Sequence, residues 1–230
     1  MMPTLLLRCV APLQAWGTQS HFSVRDTGRE PSKSGIIGLL CAALGRSRAA
    51  DVTDLASLRM GVRVDREGSI LREWQTALTK PTSNATISTR YLLSDAAFLV
   101  GLESPDRDLL QTLQNALRHP VWSLFLGRKS CPPAALPFLK DGLLDTDLEG
   151  AFQSYPWLGR RLAEYRRLTQ LRVVFDDAQG AEMRRDVPIS FAARSFRLRK
   201  VRTAFIAPPP FWQPLEGGDA EEATPCTYLV

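Results

Sequence analysis

The 230-residue sequence has little of the chemistry that most catalytic and metal sites need. It contains two histidines, His21 and His119, and four cysteines that lie far apart without a CxxC pair. A zinc cluster needs several such ligands at short spacing, so the sequence indicates no metal site and no cofactor. The Gly-x-Ser-x-Gly motif that carries the serine nucleophile of α/β-hydrolases is also missing.

Long hydrophobic runs are missing as well. No apolar stretch reaches the ~18 residues that cross a membrane. The apolar run at Thr4–Leu7 is interrupted by Arg8 and is too short for the core of a signal peptide. Free thiols without a signal peptide are typical of a reducing compartment, so we expect a cytoplasmic protein with no membrane partner.

What the sequence has in excess is positive charge. Lys and Arg number 29 against 24 Asp and Glu, a net charge of +5. Glu216, Asp219, Glu221 and Glu222 fall at the end of the chain, so residues 1–214 carry +9. Such a body suits an anionic partner such as nucleic acid or a membrane surface. On charge alone, an ordinary soluble basic protein is an equal alternative.

The hydrophobic pattern predicts an α+β fold. Up to residue 126 the predicted order is β-α-β-β-α-β, the ferredoxin-like (RRM-like) arrangement, with a polar insertion between the second and third strands. A small, mainly β C-terminal region follows. The predicted strands are 4–10, 59–65, 96–102, 121–126, 171–176, 187–191 and 196–205, and the predicted helices are 34–44 and 104–118.

This order predicts three parts of the chain. Residues 1–150 form a ferredoxin-like domain whose insertion, near residues 70–93, is an extended hairpin. Residues 151–210 form the small β-rich region, and residues 211–230 form a flexible acidic tail.

A basic turn rich in Ser and Gly, at residues 31–38, leads into the first predicted helix, which Ser34 caps and Gly45 ends. Free amides and the helix dipole at such a start bind anions, and Lys33 would add a full charge. The turn does not match a Walker A loop, because only three residues separate Gly28 from its Ser-Lys-Ser sequence. An ordinary Ser-capped helix is the alternative interpretation.

Three further stretches combine cations with turn or strand patterns. Residues 126–133, which contain Gly127-Arg128-Lys129, form either a phosphate-binding loop or a solvated turn. Residues 194–202 form either a nucleic-acid contact or an edge strand protected by charge. In the insertion, Trp74 and Tyr91 are interleaved with cations, which suits stacking on single-stranded nucleic acid. Alternatively, these aromatic residues pin the insertion to the body.

In their order and spacing these motifs resemble the CasD family, within the repeat-associated mysterious protein superfamily. The stretches that carry the resemblance are Ala11-Pro12-Leu13-Gln14-Ala15-Trp16-Gly17, the run from Arg25 to Leu40, Asp95-Ala96-x-Phe98, and Leu126-Gly127-Arg128-Lys129-Ser130-Cys131-Pro132.

The resemblance implies a non-catalytic subunit of the type I-E CRISPR Cascade complex that binds the 5′ handle of CRISPR RNA. It also implies that the insertion is a thumb reaching the CasC backbone subunit. Further implied partners are the CasA large subunit, the other Cascade subunits and, indirectly, target DNA. The implied RNA-contact residues are Gln14, Trp16, Arg25, Lys33, Ser34, Gly35, Arg90, Arg128, Lys129, Ser130 and Cys131.

An enzymatic alternative stays open at this point, because a related subunit in type I-C systems cuts RNA. A metal-independent endoribonuclease needs an acid–base pair near the scissile 2′-hydroxyl group. His21 lies in a long predicted loop and is the candidate base. His119 precedes Pro120, and we expect it to close a helix instead.

Overall fold

The computed structural model describes residues 2–17, 23–77, 86–159 and 161–210, so the predicted acidic tail lies outside the described residues. The strands within these ranges are β1 Thr4–Val10, β2 Leu13–Gln14, β3 Val24–Arg25, β4 Arg59–Arg66, β5 Ser69–Ala77, β6 Thr86–Ser94, β7 Ala97–Glu103, β8 Leu143–Leu144, β9 Leu171–Asp176, β10 Glu182–Ser190 and β11 Ser195–Ile206. The helices are α1 Lys33–Leu44, α2 Thr53–Ser57, α3 Arg107–Arg118, α4 Leu148–Ser154 and α5 Leu162–Tyr165.

Seven strands form one antiparallel sheet in the order β10-β11-β9-β4-β7-β1-β8. Because successive side chains point to opposite faces of a strand, β1 buries both of its sides. Leu5 and Leu7 belong to a core shared with α1 and α3, whereas Leu6 belongs to a second core shared with α4. The chain therefore has a mixed α/β fold with helices on both faces of an antiparallel sheet.

The sheet contains strands from both sides of the predicted boundary at residue 150. Strand β4 pairs with β9, with Val62 opposite Val174. The predicted ferredoxin-like domain and the predicted C-terminal region thus share one continuous sheet.

Helix α1 forms where the sequence predicts it, but its cap is different. Ser32, not Ser34, is the N-cap, and its hydroxyl oxygen accepts a hydrogen bond from the Gly35 amide at 3.2 Å. The helix therefore begins at Lys33. Its end matches the prediction: Gly45 adopts φ +71°, a left-handed conformation that glycine reaches without strain.

Helix α3 confirms the second predicted helix. The carboxylate of Asp106 accepts a hydrogen bond from the Leu109 amide at 2.9 Å and so caps the helix start. Leu110, Leu113 and Leu117 form its buried face. In the described residues no helix has the length and apolar character needed to span a bilayer.

The predicted strand at residues 121–126 is wrong. The amides of Val121 and Trp122 donate to the carbonyl oxygens of Ala43 and Ala42 at the end of α1, at 3.0 and 3.1 Å. These hydrogen bonds hold the segment against the end of α1. The two-residue strand β8 lies beside β1 instead.

The interpretation of residues 194–202 as an edge strand is also wrong. Strand β11 lies inside the sheet, paired with β10 on one side and β9 on the other, so β10 is the edge. A strand with four basic residues is tolerated there in part because Arg199 has carboxylate partners, Asp176 and Asp186.

The insertion folds as an antiparallel pair, β5 and β6, in which Trp74 lies opposite Thr89. On its other side, β6 pairs with β2 and, in parallel, with β3. These strands form a second sheet. Residues 78–85, which connect β5 to β6, lie outside the described residues.

Candidate nucleic-acid interface

The start of helix α1 already holds an anion from within the protein. The Lys33 amide donates to the carboxylate of Asp186 on β10 at 2.8 Å. The ammonium group of Lys33 is buried and donates to Asp176 at 2.8 Å and to the Leu58 carbonyl at 2.6 Å. The expected free charge at this helix start is therefore absent, because two carboxylates occupy the positions predicted for phosphates.

Burial and ion pairing shift the pKa values of this buried group of charges. Burial lowers the pKa of Lys33, and the adjacent carboxylate of Asp176 offsets part of that shift. Burial alone would raise the pKa of Asp186, but hydrogen bonds from Arg199, at 2.6 and 2.8 Å, hold it below its usual range. The ionised forms of these groups thus support one another.

Gln14 and Trp16 lie in the interior. The Gln14 amide nitrogen donates to the carbonyl oxygens of Cys9 and Ala96, and its oxygen accepts from the Trp16 indole at 3.1 Å. Gly35 faces the indole ring so closely that a Cβ atom would lie 2.9 Å from it. These residues position the segment between β1 and α1 rather than presenting side chains to solvent, whereas Ser34 is half-buried on the first turn of the helix.

The backbone of Trp16 connects this interior to an outer loop. Its amide donates to the Thr27 hydroxyl at 2.9 Å, and its carbonyl oxygen accepts from the Gly28 amide at 2.6 Å. Residues 25–28 are thereby held against the segment that follows β1. Arg25, at the start of this outer loop, is exposed.

The second predicted loop, residues 126–131, packs against the same segment. Gly127 has φ +96°, and a Cβ atom there would overlap the carbonyl oxygen of Ala15. The Ala15 amide donates to the Leu126 carbonyl at 3.0 Å, and the Cys131 amide donates to the Arg128 carbonyl at 2.8 Å. Cys131 is fully buried, so it anchors the loop instead of facing a ligand.

Three arginines converge where these loops meet the second sheet. Arg25 lies opposite Arg90 in the β3–β6 pair. The Nη2 group of Arg128 donates to the carbonyl oxygens of Arg25 and Asp26, at 3.2 and 3.3 Å. Burial, and after it the nearby charges of Arg90 and Arg25, lower the pKa of Arg128. We call Arg25, Arg90 and Arg128 the arginine cluster.

The arginine cluster has donors without acceptors. Among the described residues, two buried side-chain nitrogens lack a hydrogen-bond partner, Nε of Arg90 and Nη1 of Arg128. Glu73 lies opposite Arg90 in the β5–β6 pair, but one of its oxygens accepts from Gln75 at 2.7 Å. Since a buried donor without an acceptor is costly, the cluster is suited to bind an anion.

Lys129 and Ser130 extend this basic surface. Both are exposed on the loop whose neighbour is Arg128. The structure therefore brings together Arg25, Arg90, Arg128, Lys129 and Ser130, and it separates them from the side chain of Lys33. Orientation makes the difference, because the Lys33 ammonium points toward β9.

The β5–β6 pair carries exposed apolar groups beside a cation. Trp74 is 61% exposed and Ile87 60% exposed, and the guanidinium group of Arg72 lies 4.6 Å from the Trp74 ring centroid. This exposure contradicts the alternative in which Trp74 pins the insertion to the body. Tyr91 is half-buried.

Sequence reasoning missed the carboxylates that neutralise the first basic motif. Asp176 and Asp186 follow Lys33 by 143 and 153 residues. Glu30 likewise accepts from Arg172 at 2.7 Å and pairs with Arg184. The sequence shows acidic and basic residues in β9 and β10 and basic residues in β11, but it does not say where their partners lie.

Of the two histidine candidates, the structure describes His119, which closes a helix as the sequence predicts. His119 is the C-cap of α3, where its amide donates to the Asn115 carbonyl at 3.0 Å. His21 lies outside the described residues. In the part of the chain that the structure describes, no three His, Cys, Asp or Glu side chains are grouped as a metal site.

Comparison with known proteins gives concordant matches. Residues 4–202 match the family model described as CRISPR-associated protein (Cas_Cas5). The Cascade subunit CasD of Escherichia coli (strain K12) is 36% identical over 153 residues, which cover 57% of this chain and 68% of that protein.

Solved structures agree with the sequence matches. A Cas protein crystal structure superposes with a TM-score of 0.76 and 44% identity, over 92% of this chain and all of that one. A chain of a CRISPR RNA-guided surveillance complex superposes with a TM-score of 0.72 and 27% identity, over 90% of this chain and 91% of that one.

Proposed function

This chain belongs to the Cas_Cas5 family of CRISPR-associated proteins, and from that premise we propose that it is the subunit of a type I-E Cascade complex that binds and caps the 5′ handle of CRISPR RNA. The observation that carries the proposed site is the pair of buried donors without acceptors on Arg90 and Arg128. Phosphate oxygens are strong acceptors for guanidinium groups, and RNA supplies them at regular spacing.

In the proposed site the residues have two roles. Arg25, Arg90, Arg128, Lys129 and Ser130 contact the handle backbone. Four buried or close-packed residues hold the two loops in place, namely Gln14, Trp16, Gly35 and Cys131. The Ser34 hydroxyl is an additional polar group at the helix start, and Lys33 acts from within the protein by holding that helix start to β9.

We propose that β1, α1, β4, β7, α3 and β8 form the ferredoxin-like unit. The order β4-β7-β1-β8 supports this, since it places the unit's fourth strand beside its first. The strands β5 and β6 are then the inserted thumb. Its exposed Trp74 and Ile87 support a contact with another macromolecule, which we assign to the CasC backbone subunit.

The remaining proposed partners follow from membership of the complex. We infer contacts with CasA and the other Cascade subunits, with target DNA engaged through the assembly rather than by this chain. The site of action is the cytoplasm.

We further propose that the chain does not itself cut RNA. The side chains that converge at the site are arginines, which bind phosphate but cannot accept a proton at neutral pH, so they supply no general base. Incubating the purified protein with labelled repeat RNA in EDTA tests this. A specific cut that disappears in His21→Ala would contradict it.

The handle assignment is tested in the assembled complex. Arg90→Gln with Arg128→Gln removes two proposed phosphate contacts while keeping side chains of similar polarity. Weaker handle binding is expected, with the dependence of log K on log salt reduced by about 1.4, at ~0.7 for each phosphate on single-stranded RNA. Arg166→Gln with Arg167→Gln, at two exposed positions, is the matched control. If both double variants show the same salt slope, the assignment of the handle site to Arg90 and Arg128 is wrong.

A further inference from the structure

The strands β10 and β11 pair some of their cations with carboxylates and leave others unpaired. Residues opposite each other in an antiparallel pair share a face, so Arg184 and Arg199 lie on one face of β10–β11. On the other face, Lys200 lies opposite Met183 and Leu198 lies opposite Arg185. We call Met183, Arg185, Leu198 and Lys200 the outer face.

On the first of these faces, Arg184 and Arg199 are neutralised within the protein. Arg199 pairs with Asp176 and Asp186, and Arg184 pairs with Glu30 and Glu182. The adjacent strand β10 packs on α1 and α2, and the side chains of Arg184 and Arg199 are partly buried, each with a carboxylate partner.

The outer face is not neutralised. None of the ion pairs found among the described residues involves Arg185 or Lys200, and both side chains are exposed. Between them, Met183 is 61% exposed and Leu198 is 48% exposed. The strand pair thus neutralises Arg184 and Arg199 on one face and leaves two cations and two large apolar side chains in solvent on the other.

We propose that the outer face is a docking surface for a neighbouring protein subunit whose own surface presents carboxylates around an apolar centre. This inference rests on the proposed function, since it assumes a multisubunit complex. Arg and Met are enriched in protein interfaces, and unpaired cations at the edge of an apolar patch select an acidic partner by charge complementarity.

A protein fits this surface better than a nucleic acid does. A nucleic acid binds through cations that contact its phosphates and aromatic rings that stack on its bases, and it leaves Met183 and Leu198 without a partner. The outer face itself contains no aromatic ring; of the exposed rings, Trp74 lies on β5 in the other sheet and Phe205 lies near the end of β11. Strand addition at the β10 edge is disfavoured, because Pro188 has no amide to donate and register shifts interrupt the β10–β11 pairing.

Charge reversal in the co-expressed complex tests the docking surface. Arg185→Glu with Lys200→Glu should weaken retention of one protein subunit at least tenfold, while CRISPR RNA stays bound. Arg166→Glu with Arg167→Glu, which changes the net charge equally at two exposed positions elsewhere, should leave the composition unchanged. The measurements are native mass spectrometry and RNA content.

The other outcomes overturn the proposal. Unchanged composition would show that the outer face is not an interface, and equal loss in the control would show a general effect of charge. Loss of RNA or DNA with every protein subunit retained would identify a nucleic-acid partner instead. Failure of the proposed function looks different, because the wild-type complex would then lack CRISPR RNA.

A second measurement does not depend on how the charge-reversed variant folds. A zero-length carbodiimide activates a carboxylate, and the Lys200 amine displaces the urea to form an amide bond with it. In the wild-type complex, cross-linked peptides should join Lys200 to an Asp or Glu of another subunit. Lys200→Arg keeps the charge but has no reactive amine, so it should retain that subunit and lose the cross-link. Absence of any inter-subunit cross-link at Lys200 in the wild type would contradict the proposal.

Discussion

The ammonium nitrogen of Lys33 lies 2.8 Å from a carboxylate oxygen of Asp176, a residue 143 positions later in the chain. Asp186, on β10, accepts a hydrogen bond from the Lys33 amide. A basic helix start that would bind a phosphate in isolation is therefore filled by the protein itself. The C-terminal strands thus hold the segment that carries α1, and through Trp16 they support the loop that bears Arg25.

Lys33→Met should reduce the stability of the protein rather than its charge contact with RNA. We expect the free energy of unfolding to fall by about 3 kcal/mol, because removing one partner leaves the carboxylate of Asp176 incompletely paired in the interior. Urea unfolding measures this. Lys129→Met, at an exposed position, should leave unfolding nearly unchanged and reduce the salt dependence of RNA binding. If instead Lys33→Met leaves unfolding unchanged and reduces the salt dependence of RNA binding, Lys33 contacts phosphate.

Asp186→Asn should make stability less dependent on pH in the acid range. The folded pKa of Asp186 lies below its ordinary value of ~3.9. Its stabilisation is therefore complete above that value and is lost as the pH falls through the folded pKa. The variant should be less stable than the wild type at pH 7, and the gap should narrow as the pH falls below the ordinary value.

Urea unfolding at a series of pH values measures that gap. Asp108→Asn, which removes an exposed carboxylate, is the control and should change stability little across the range. A gap that widens on acidification would show that the sign of the shift is wrong.

The sequence predicts elements whose pattern is local. Strand β1, helix α1 and helix α3 are each specified by their own apolar period and end signals, so they form where expected. Residues 121–126 have an apolar pattern too, but the amides of Val121 and Trp122 donate to the end of α1, which lies far away in sequence. Pairing choices of that kind depend on the whole fold.

The site shows the same division. Each basic motif is visible in the sequence, but whether its charge is free depends on partners more than a hundred residues away. Lys33 has such partners, whereas Nη1 of Arg128 and Nε of Arg90 have none among the described residues. The convergence of Arg25, Arg90 and Arg128 comes from three separate segments, so it emerges only from the fold.

Trp74→Ala should separate folding from assembly. The Trp74 ring is 61% exposed, so its removal should change the free energy of unfolding by less than ~1 kcal/mol. If β5–β6 is a thumb, the variant should assemble less well with the neighbouring subunit, as judged by size-exclusion chromatography. Trp157→Ala is the contrasting control, because Trp157 is buried and its loss should cost ~3–5 kcal/mol. If Trp74→Ala assembles as well as the wild type, the assignment of β5–β6 as a thumb is wrong.

Gly127→Ala should displace the loop that carries Arg128. The added Cβ would overlap the Ala15 carbonyl oxygen, and the left-handed φ adds strain, so we expect a loss of ~1–3 kcal/mol together with weaker handle binding. Gly38→Ala is the matched control. A Cβ atom at position 38 would lie 3.7 Å from the Phe191 ring, an ordinary van der Waals distance. Because Gly38 lies inside α1, replacing it with alanine should stabilise the helix by up to ~1 kcal/mol. If both variants bind RNA like the wild type, the backbone contact between Gly127 and Ala15 does not shape the site.

A buried arginine stabilises the sheet from its second face. The guanidinium group of Arg63 on β4 has no exposed surface and donates to both carboxylate oxygens of Asp65, at 2.6 and 2.8 Å. Its remaining donors reach the carbonyl oxygens of Phe152, Tyr155 and Pro156 at 2.6–2.8 Å. Every donor is used, so this ion pair meets the condition under which burial of charge is tolerated.

Arg63→Met should therefore be among the most destabilising single substitutions in the chain. We expect a loss of ~3–5 kcal/mol, because Asp65 is left charged in the interior and three carbonyl oxygens lose their donor. Adding Asp65→Asn removes the buried charge, so the double variant should lose less than the sum of the two single losses. Urea unfolding of the four proteins gives the coupling energy, and strictly additive losses would contradict a direct pair. If Arg63→Met fails to fold, the pair is tested by Asp65→Asn and the double variant. The double variant should then fold, because it no longer carries the unpaired buried carboxylate.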